Sequence, residues 1–174
     1  MNFARVAAMA PRSGESDARK AKRLGFRSAG EMLLTAFLTK RRVKFLYEER
    51  SLTISYTVPE SKHTYLPDFF LKKKDGTIMY LDYKGEWDLD DRRKHLLIQR
   101  QHPNLDIRMV FERDPNKSYI GARGKSASYA DICTRGCGRG EWRDFSLPFT
   151  FVKRERGHDP EFLPASWLKE CEVK

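Results

Sequence analysis

Asp68, which follows Pro67, and the triplet Asp82-Tyr83-Lys84 are the residues of this 174-residue chain whose types and spacing best suit chemistry. Asp82 and Lys84 lie two residues apart in a stretch that reads as a strand, so their side chains leave the same face. Asp68 precedes a short hairpin signal, Asp75-Gly76, which can fold it back beside Asp82. Two carboxylates at adjoining strand positions offer hard oxygen donors to a divalent cation, with Mg2+ the expected ion and Mn2+ able to substitute. Phosphodiester hydrolysis uses such a set: the cation lowers the pKa of a bound water and neutralises phosphate charge. Lys84 adds a positive charge where charge develops on phosphate oxygens, or a general base if its proton affinity is lowered. The plainer alternatives are a turn residue at Asp68 and a solvated charge pair at Asp82 and Lys84.

Glu31 carries two readings. Ser28-Ala29-Gly30-Glu31 has the spacing of a capping box, which accounts for the glutamate at a helix start. As a site residue, it brings a third carboxylate to the metal or its waters. Arg92, Arg93 and Lys94 form a basic cluster soon after Lys84, suited to phosphate contacts, or to an exposed helix start offset by Asp90 and Asp91. His63 reads as a loop residue near the site, suited to a phosphate or water contact rather than to an oxygen-loving metal. Trp87 reads as core packing, with a DNA contact the alternative. Cys133, Cys137 and Cys171 are too few for a disulfide framework, and Cys133 with Cys137 and a distant His158 do not make a four-ligand zinc set.

The elements that must position these groups follow from periodicity. Residues 1–25 are basic and weakly patterned and read as a flexible arm, with the folded part, 26–174, beginning near Phe26. The box at Ser28 opens a helix that buries Leu33, Leu34, Phe37 and Leu38 and ends near Arg41 or Arg42. Strand patterns follow at residues 43–47, 52–58, 65–71 and 78–84, the third bent or placed at an edge by Pro67. A helix from Asp90 stops before Pro103, a strand carries Ile107, Met109 and Phe111, and a short helix covers residues 128–133. Mostly antiparallel strands framed by helices predict an α/β fold with one sheet flanked by helices.

The charge balance narrows the partners. Thirty-four Lys and Arg against 24 Asp and Glu give a formal charge of +10 and favour a polyanion. That excess alone separates neither DNA from RNA nor either from an anionic surface. With 40% hydrophobic residues a packed core is within reach. The apolar runs are far short of a bilayer span and the N-terminus lacks a secretory pattern, so an intracellular protein with no membrane partner is expected.

At these residues the chain resembles the phage-type endonuclease I family, small Holliday-junction resolvases of the restriction-endonuclease-like superfamily. The resemblance rests on Phe26-Arg27-Ser28-Ala29-Gly30-Glu31, on His63-Thr64-Tyr65-Leu66-Pro67-Asp68-Phe69, on Asp82-Tyr83-Lys84-Gly85, on residues 90–98 and 101–108, and on a shorter segment at 163–170. It implies a mixed central sheet flanked by helices in a strand-swapped homodimer. It implies Glu31, Asp68, Asp82 and Lys84 as the catalytic set, with Glu31, Asp68 and Asp82 on the metal. Asp82 stands where the family commonly has glutamate, which keeps the charge and shortens the reach. It further implies composite sites: Glu31 from one subunit, Asp68, Asp82 and Lys84 from the other, and residues 51–62 as the bridge. The implied substrate is branched DNA, above all four-way junctions cut in opposing strands, and the implied setting is the host cytoplasm of a phage. A restriction-like or nicking enzyme acting on linear duplexes is the alternative within the same superfamily.

Overall fold

A computed structural model describes residues 14–58, 61–117, 127–136, 142–154 and 159–173. Helix α1 (Asp17–Leu24) starts on the Ser16 side chain, ends at Gly25 with φ 83°, and buries Ala21 and Leu24. Helical order therefore begins nine residues before Phe26, inside the stretch read as a flexible arm; residues 1–13 of that arm lie outside the described residues. Its capping signals are ordinary, but a run rich in Lys and Arg hides a two-residue apolar contact. Helix α2 (Ala29–Lys40) follows with Ser28 as its cap, as the box predicts.

Strand β1 (Phe45–Tyr47) leads through a 3₁₀ turn (Arg50–Leu52) to β2 (Ile54–Val58) and β3 (Ser61–Tyr65). The third predicted strand divides at Pro67: β3 ends at Tyr65, the chain bends at Asp68, and β4 (Phe69–Lys72) belongs to a different sheet. The proline lacks the N–H that a continuous ladder would need. Strand β5 (Ile78–Lys84), helix α3 (Leu89–Gln101), β6 (Asp106–Phe111), helix α4 (Tyr129–Arg135), β7 (Phe149–Phe151) and helix α5 (Ala165–Glu170) complete the order.

The main sheet runs β1-β4-β5-β6-β7. Its first two ladders are antiparallel and its last two parallel, because α3 carries the chain from β5 back to start β6 alongside. The architecture is thus α/β with a mixed sheet, as predicted. Alternation along β5 divides the core into two layers. Met79, Leu81 and Tyr83 pack with α1, α2 and α5 around Leu34, Leu38 and Phe162. On the other face Trp87, Leu96, Ile98, Met109, Phe111, Ile132 and Phe145 form a second layer. Strands β2 and β3 make a separate hairpin that joins this layer through Ile54 and Tyr65. Gln101 fixes it to α3, accepting from the Thr57 N–H and donating to the Thr57 carbonyl, both at 2.8 Å. Trp87 is fully buried among Phe111, Tyr129 and Phe145, which bears out the core reading. Among the described residues no helix is long and apolar enough to cross a membrane.

Candidate active site

The bend before β4 and the C-terminal end of β5 meet at the ends of two inner strands of the mixed sheet, and this is where Asp68, Asp82 and Lys84 gather. Phe69 pairs with Leu81 across the antiparallel ladder, which sets Asp68 beside Asp82 and Tyr83. Asp68 Oδ2 accepts from the Tyr83 backbone N–H at 2.8 Å. Helix α2 approaches closely because position 30 is glycine; a Cβ there would lie 2.0 Å from the Tyr83 ring. Gly30 thereby lets the helix that carries Glu31 settle against the strand that carries Asp82.

Glu31 fills the helix-cap role that its spacing predicts, and it is buried. Its N–H donates to Ser28 Oγ at 3.1 Å, and the Ser28 hydroxyl donates to Glu31 Oε1 at 2.9 Å. The reciprocal half of the box is altered, since Oε2 accepts from the Arg27 N–H at 3.3 Å and from the Tyr47 hydroxyl. Burial, and then the hydrogen bond to Glu31, push the Tyr47 hydroxyl far above its ordinary range, so it stays a donor.

Asp82 and Lys84 point into the opposite layer, toward α3. Asp82 Oδ2 lies 3.1 Å from Lys84 Nζ and 2.8 Å from His95 Nε2. The other His95 nitrogen lies 2.6 Å from the Asp91 carbonyl, and the Tyr65 hydroxyl is 3.2 Å from Nε2. Burial alone would raise the Asp82 carboxyl, but Lys84, His95 and Tyr65 outweigh it and hold it well below the usual carboxylate range. Lys84 also meets Asp91 at 2.9 Å. Burial lowers its proton affinity, yet Asp82, Asp91 and Asp68 more than reverse this, so the ammonium keeps its proton. That favours the role of Lys84 as a fixed positive charge over the general-base alternative. Asp68 moves the other way: burial first, then repulsion from Asp82, push it above the carboxylate range against the Tyr83 N–H and Arg27.

Several neighbours of the site escaped the sequence reading. Arg27 pairs with Asp68 and, through Nε, with Glu48 at 2.5 Å. His95 and Tyr65 reach Asp82, Asp91 reaches Lys84 and Tyr47 reaches Glu31 through tertiary packing. Asp91 and His95 are one helical turn apart on α3, a spacing that could have flagged them. Three other expectations change. His63 lies on exposed β3, stacked on Tyr56 and bonded to Ser61 at 2.7 Å, rather than on a loop at the site. Arg92, Arg93 and Lys94 do not form one surface cluster, because successive helix residues turn by about 100°. Arg92 is buried, Lys94 pairs with Asp91 at 2.5 Å, and Arg93 is 64% exposed beside Asp90. Cys133 is a buried free thiol, while Cys137 and His158 lie outside the described residues.

The donor set suits a hard divalent cation: Asp68 and Asp82 repel one another when both are ionised, and a guanidinium already stands in as a cation on Asp68. Among the described residues no group of three His, Cys, Asp or Glu side chains closes into a complete metal cage. Mg2+ typically retains several waters and takes only one or two carboxylates, so the two aspartates fit it.

The model of the phage endonuclease I family matches residues 9–174. Endonuclease I of Escherichia phage T7 is 36% identical over 145 residues, covering 83% of this chain and 79% of the relative. Endodeoxyribonuclease 1 of Enterobacteria phage T3 is 41% identical over 123 residues, covering 71% and 75%.

Proposed function

The chain belongs to the phage endonuclease I family, and we propose that it is a metal-dependent DNA endonuclease that resolves four-way (Holliday) junctions by paired strand cuts. The observation that carries this reading is the meeting of Asp68, Asp82 and Lys84 where the bend before β4 meets the end of β5, with Glu31 linked to Asp68 through Arg27. Asp68 and Asp82 would hold Mg2+ or Mn2+, with Glu31 as the third acid. The bound ion supplies an activated water and neutralises phosphate charge. Lys84, held by Asp82 and Asp91, brings a fixed positive charge to the phosphate. His95 and Tyr65 keep Asp82 ionised and oriented, and Arg93 offers a backbone phosphate contact.

The test is cleavage of a labelled four-way junction and its matching linear duplex by wild type and Asp68→Asn. Wild type should prefer the junction, and Asp68→Asn should lose turnover by a factor of about 10³ or more while still binding. Equal cutting of the duplex would replace this reading with a restriction-like or nicking one. Near-normal turnover by Asp68→Asn would remove Asp68 from the metal.

The working unit proposed is a homodimer that exchanges strands through the segment around residues 51–62, so that Glu31 of one chain serves Asp68, Asp82 and Lys84 of the other. Within one chain Glu31 and Asp68 are linked through the Arg27 guanidinium, and a second copy would rebuild that link in trans. A two-fold enzyme can match a junction by backbone shape without reading bases. Refolding Glu31→Ala with Asp68→Asn checks this. Heterodimers, verified by mass spectrometry, should nick a junction on one strand, since one site receives both defects and the other none. Heterodimers without any nicking would exclude exchange.

A further inference from the structure

Arg27 lies outside the predicted catalytic set, yet its guanidinium sits among three carboxylates. Nη2 meets Asp68, Nε lies 2.5 Å from Glu48 Oε1, and Nε lies 3.9 Å from Glu31 Oε2. The Arg27 side chain is 60% exposed while that of Asp68 is 6% exposed, so the acids rather than apolar packing hold the arginine in place. Glu48 is itself unusual. Its backbone is left-handed at φ 46°, a conformation seldom adopted by glutamate, and its N–H donates to the Asp68 carbonyl at 3.1 Å. The bend that carries Asp68 is therefore tied to Glu48 twice, through the backbone and through Arg27.

The guanidinium places one positive charge among three carboxyl groups, where a divalent cation would place two. Arg27 thus does part of a cation's work while remaining on a long, solvent-facing side chain that can leave.

We propose that Arg27 is the counter-ion of the metal-free site, occupying the cation position at Asp68 and yielding it when the divalent cation binds, with Glu48 retaining the guanidinium at the rim. The proposal rests on the metal-dependent reading above and adds a competition to it. A tethered cation lowers the apparent affinity for a free one by the fraction of molecules in which the site is open. It also relieves the mutual repulsion of the acids while no metal is present.

Calorimetric titration of Ca2+ into the full-length protein without DNA tests this. Arg27→Gln should bind Ca2+ about tenfold more tightly than wild type. Arg27→Lys, which keeps a tethered charge, should stay close to wild type. Without Ca2+, Arg27→Gln should melt below wild type, and saturating Ca2+ should close that gap. Unchanged or weaker Ca2+ binding by Arg27→Gln, with its circular dichroism intact, would overturn the proposal. If wild type binds Ca2+ and Asp68→Asn does not, such a result overturns the role of Arg27 alone. Wild type that binds no Ca2+ would overturn both this role and the metal-dependent reading.

Discussion

Asp68 and Asp82 are the same residue type, both buried, on adjoining positions of one sheet, yet their surroundings treat them in opposite ways. Asp82 is enclosed by Lys84, His95 and Tyr65, side chains fixed by the α3 layer, and its carboxyl is driven below the ordinary range. Asp68 relies on one backbone N–H and on a guanidinium that is mostly in solvent, and its carboxyl is driven above that range by burial and by Asp82. Asp82 is preorganised and held toward its ionised form. Asp68 is held toward its protonated form by burial and by Asp82. A site built in this way can keep its shape while empty without storing the full repulsion of two buried carboxylates.

Lys84 belongs to the preorganised half, and its removal has the largest effect expected here after loss of an aspartate. Lys84→Ala should lower junction turnover by roughly a hundredfold or more, the range for removing one preorganised charge from a transition state. Single-turnover rates at saturating enzyme measure it. A loss within about threefold would leave Lys84 as a structural partner of Asp82.

Stability separates the two acids next. Asp82→Asn leaves Lys84 and His95 without their buried anion and should cost about 3 kcal/mol in urea denaturation with EDTA present. Asp68→Asn removes a repelling charge and only an exposed arginine contact, so it should be near neutral or stabilising under the same conditions. The sign with pH also differs. The raised folded-state pKa of Asp68 means that this site holds its proton more tightly in the folded chain than in the unfolded one. The contribution of Asp68 to stability therefore falls as pH rises from the carboxylate range, and Asp68→Asn should gain on wild type between pH 5 and pH 8. The depressed Asp82 acts conversely: its contribution is present above the unfolded carboxylate pKa and is lost on acidification. Equal stability losses in the two variants, independent of pH, would erase the distinction.

Local spacing made half of this legible. The two-residue period brought Asp82 and Lys84 to one face, Pro67 marked the bend at Asp68, and Ser28 with Glu31 marked the helix start that the structure contains. What stayed hidden depends on chain segments meeting from a distance. His95 reaches Asp82 across thirteen residues, Arg27 reaches Asp68 across 41, and nothing local at Glu48 signals a left-handed backbone. Helix α1 was missed for a different reason, since Ala21 and Leu24 bury a narrow stripe within a strongly basic sequence. The split of the third strand between two sheets was legible only as a bend. Which side of it joined which sheet depends on the hairpin contacts with Gln101 and Ile54.

The smallest effect concerns the edge of the preorganised half, where α3 turns its basic residues in three directions. Arg92 is buried and Lys94 is engaged by Asp91 and lies over the Tyr65 ring at 5.0 Å, so both charges are occupied by the protein itself. Among the described residues Arg93 has a 3.9 Å approach to an exposed Asp90, a pairing that costs little to exchange for a phosphate. Arg93→Gln should therefore reduce the magnitude of the salt slope of junction binding by about one unit and leave the folded stability unchanged. Arg92→Gln should do the reverse, lowering stability through a buried polar group that loses its charge, with little change in slope. Fluorescence anisotropy across a salt series, measured without divalent metal, resolves the two. A lost unit of slope in Arg92→Gln, with none in Arg93→Gln, would mean that DNA binding reorganises α3 and that the buried arginine becomes the phosphate contact.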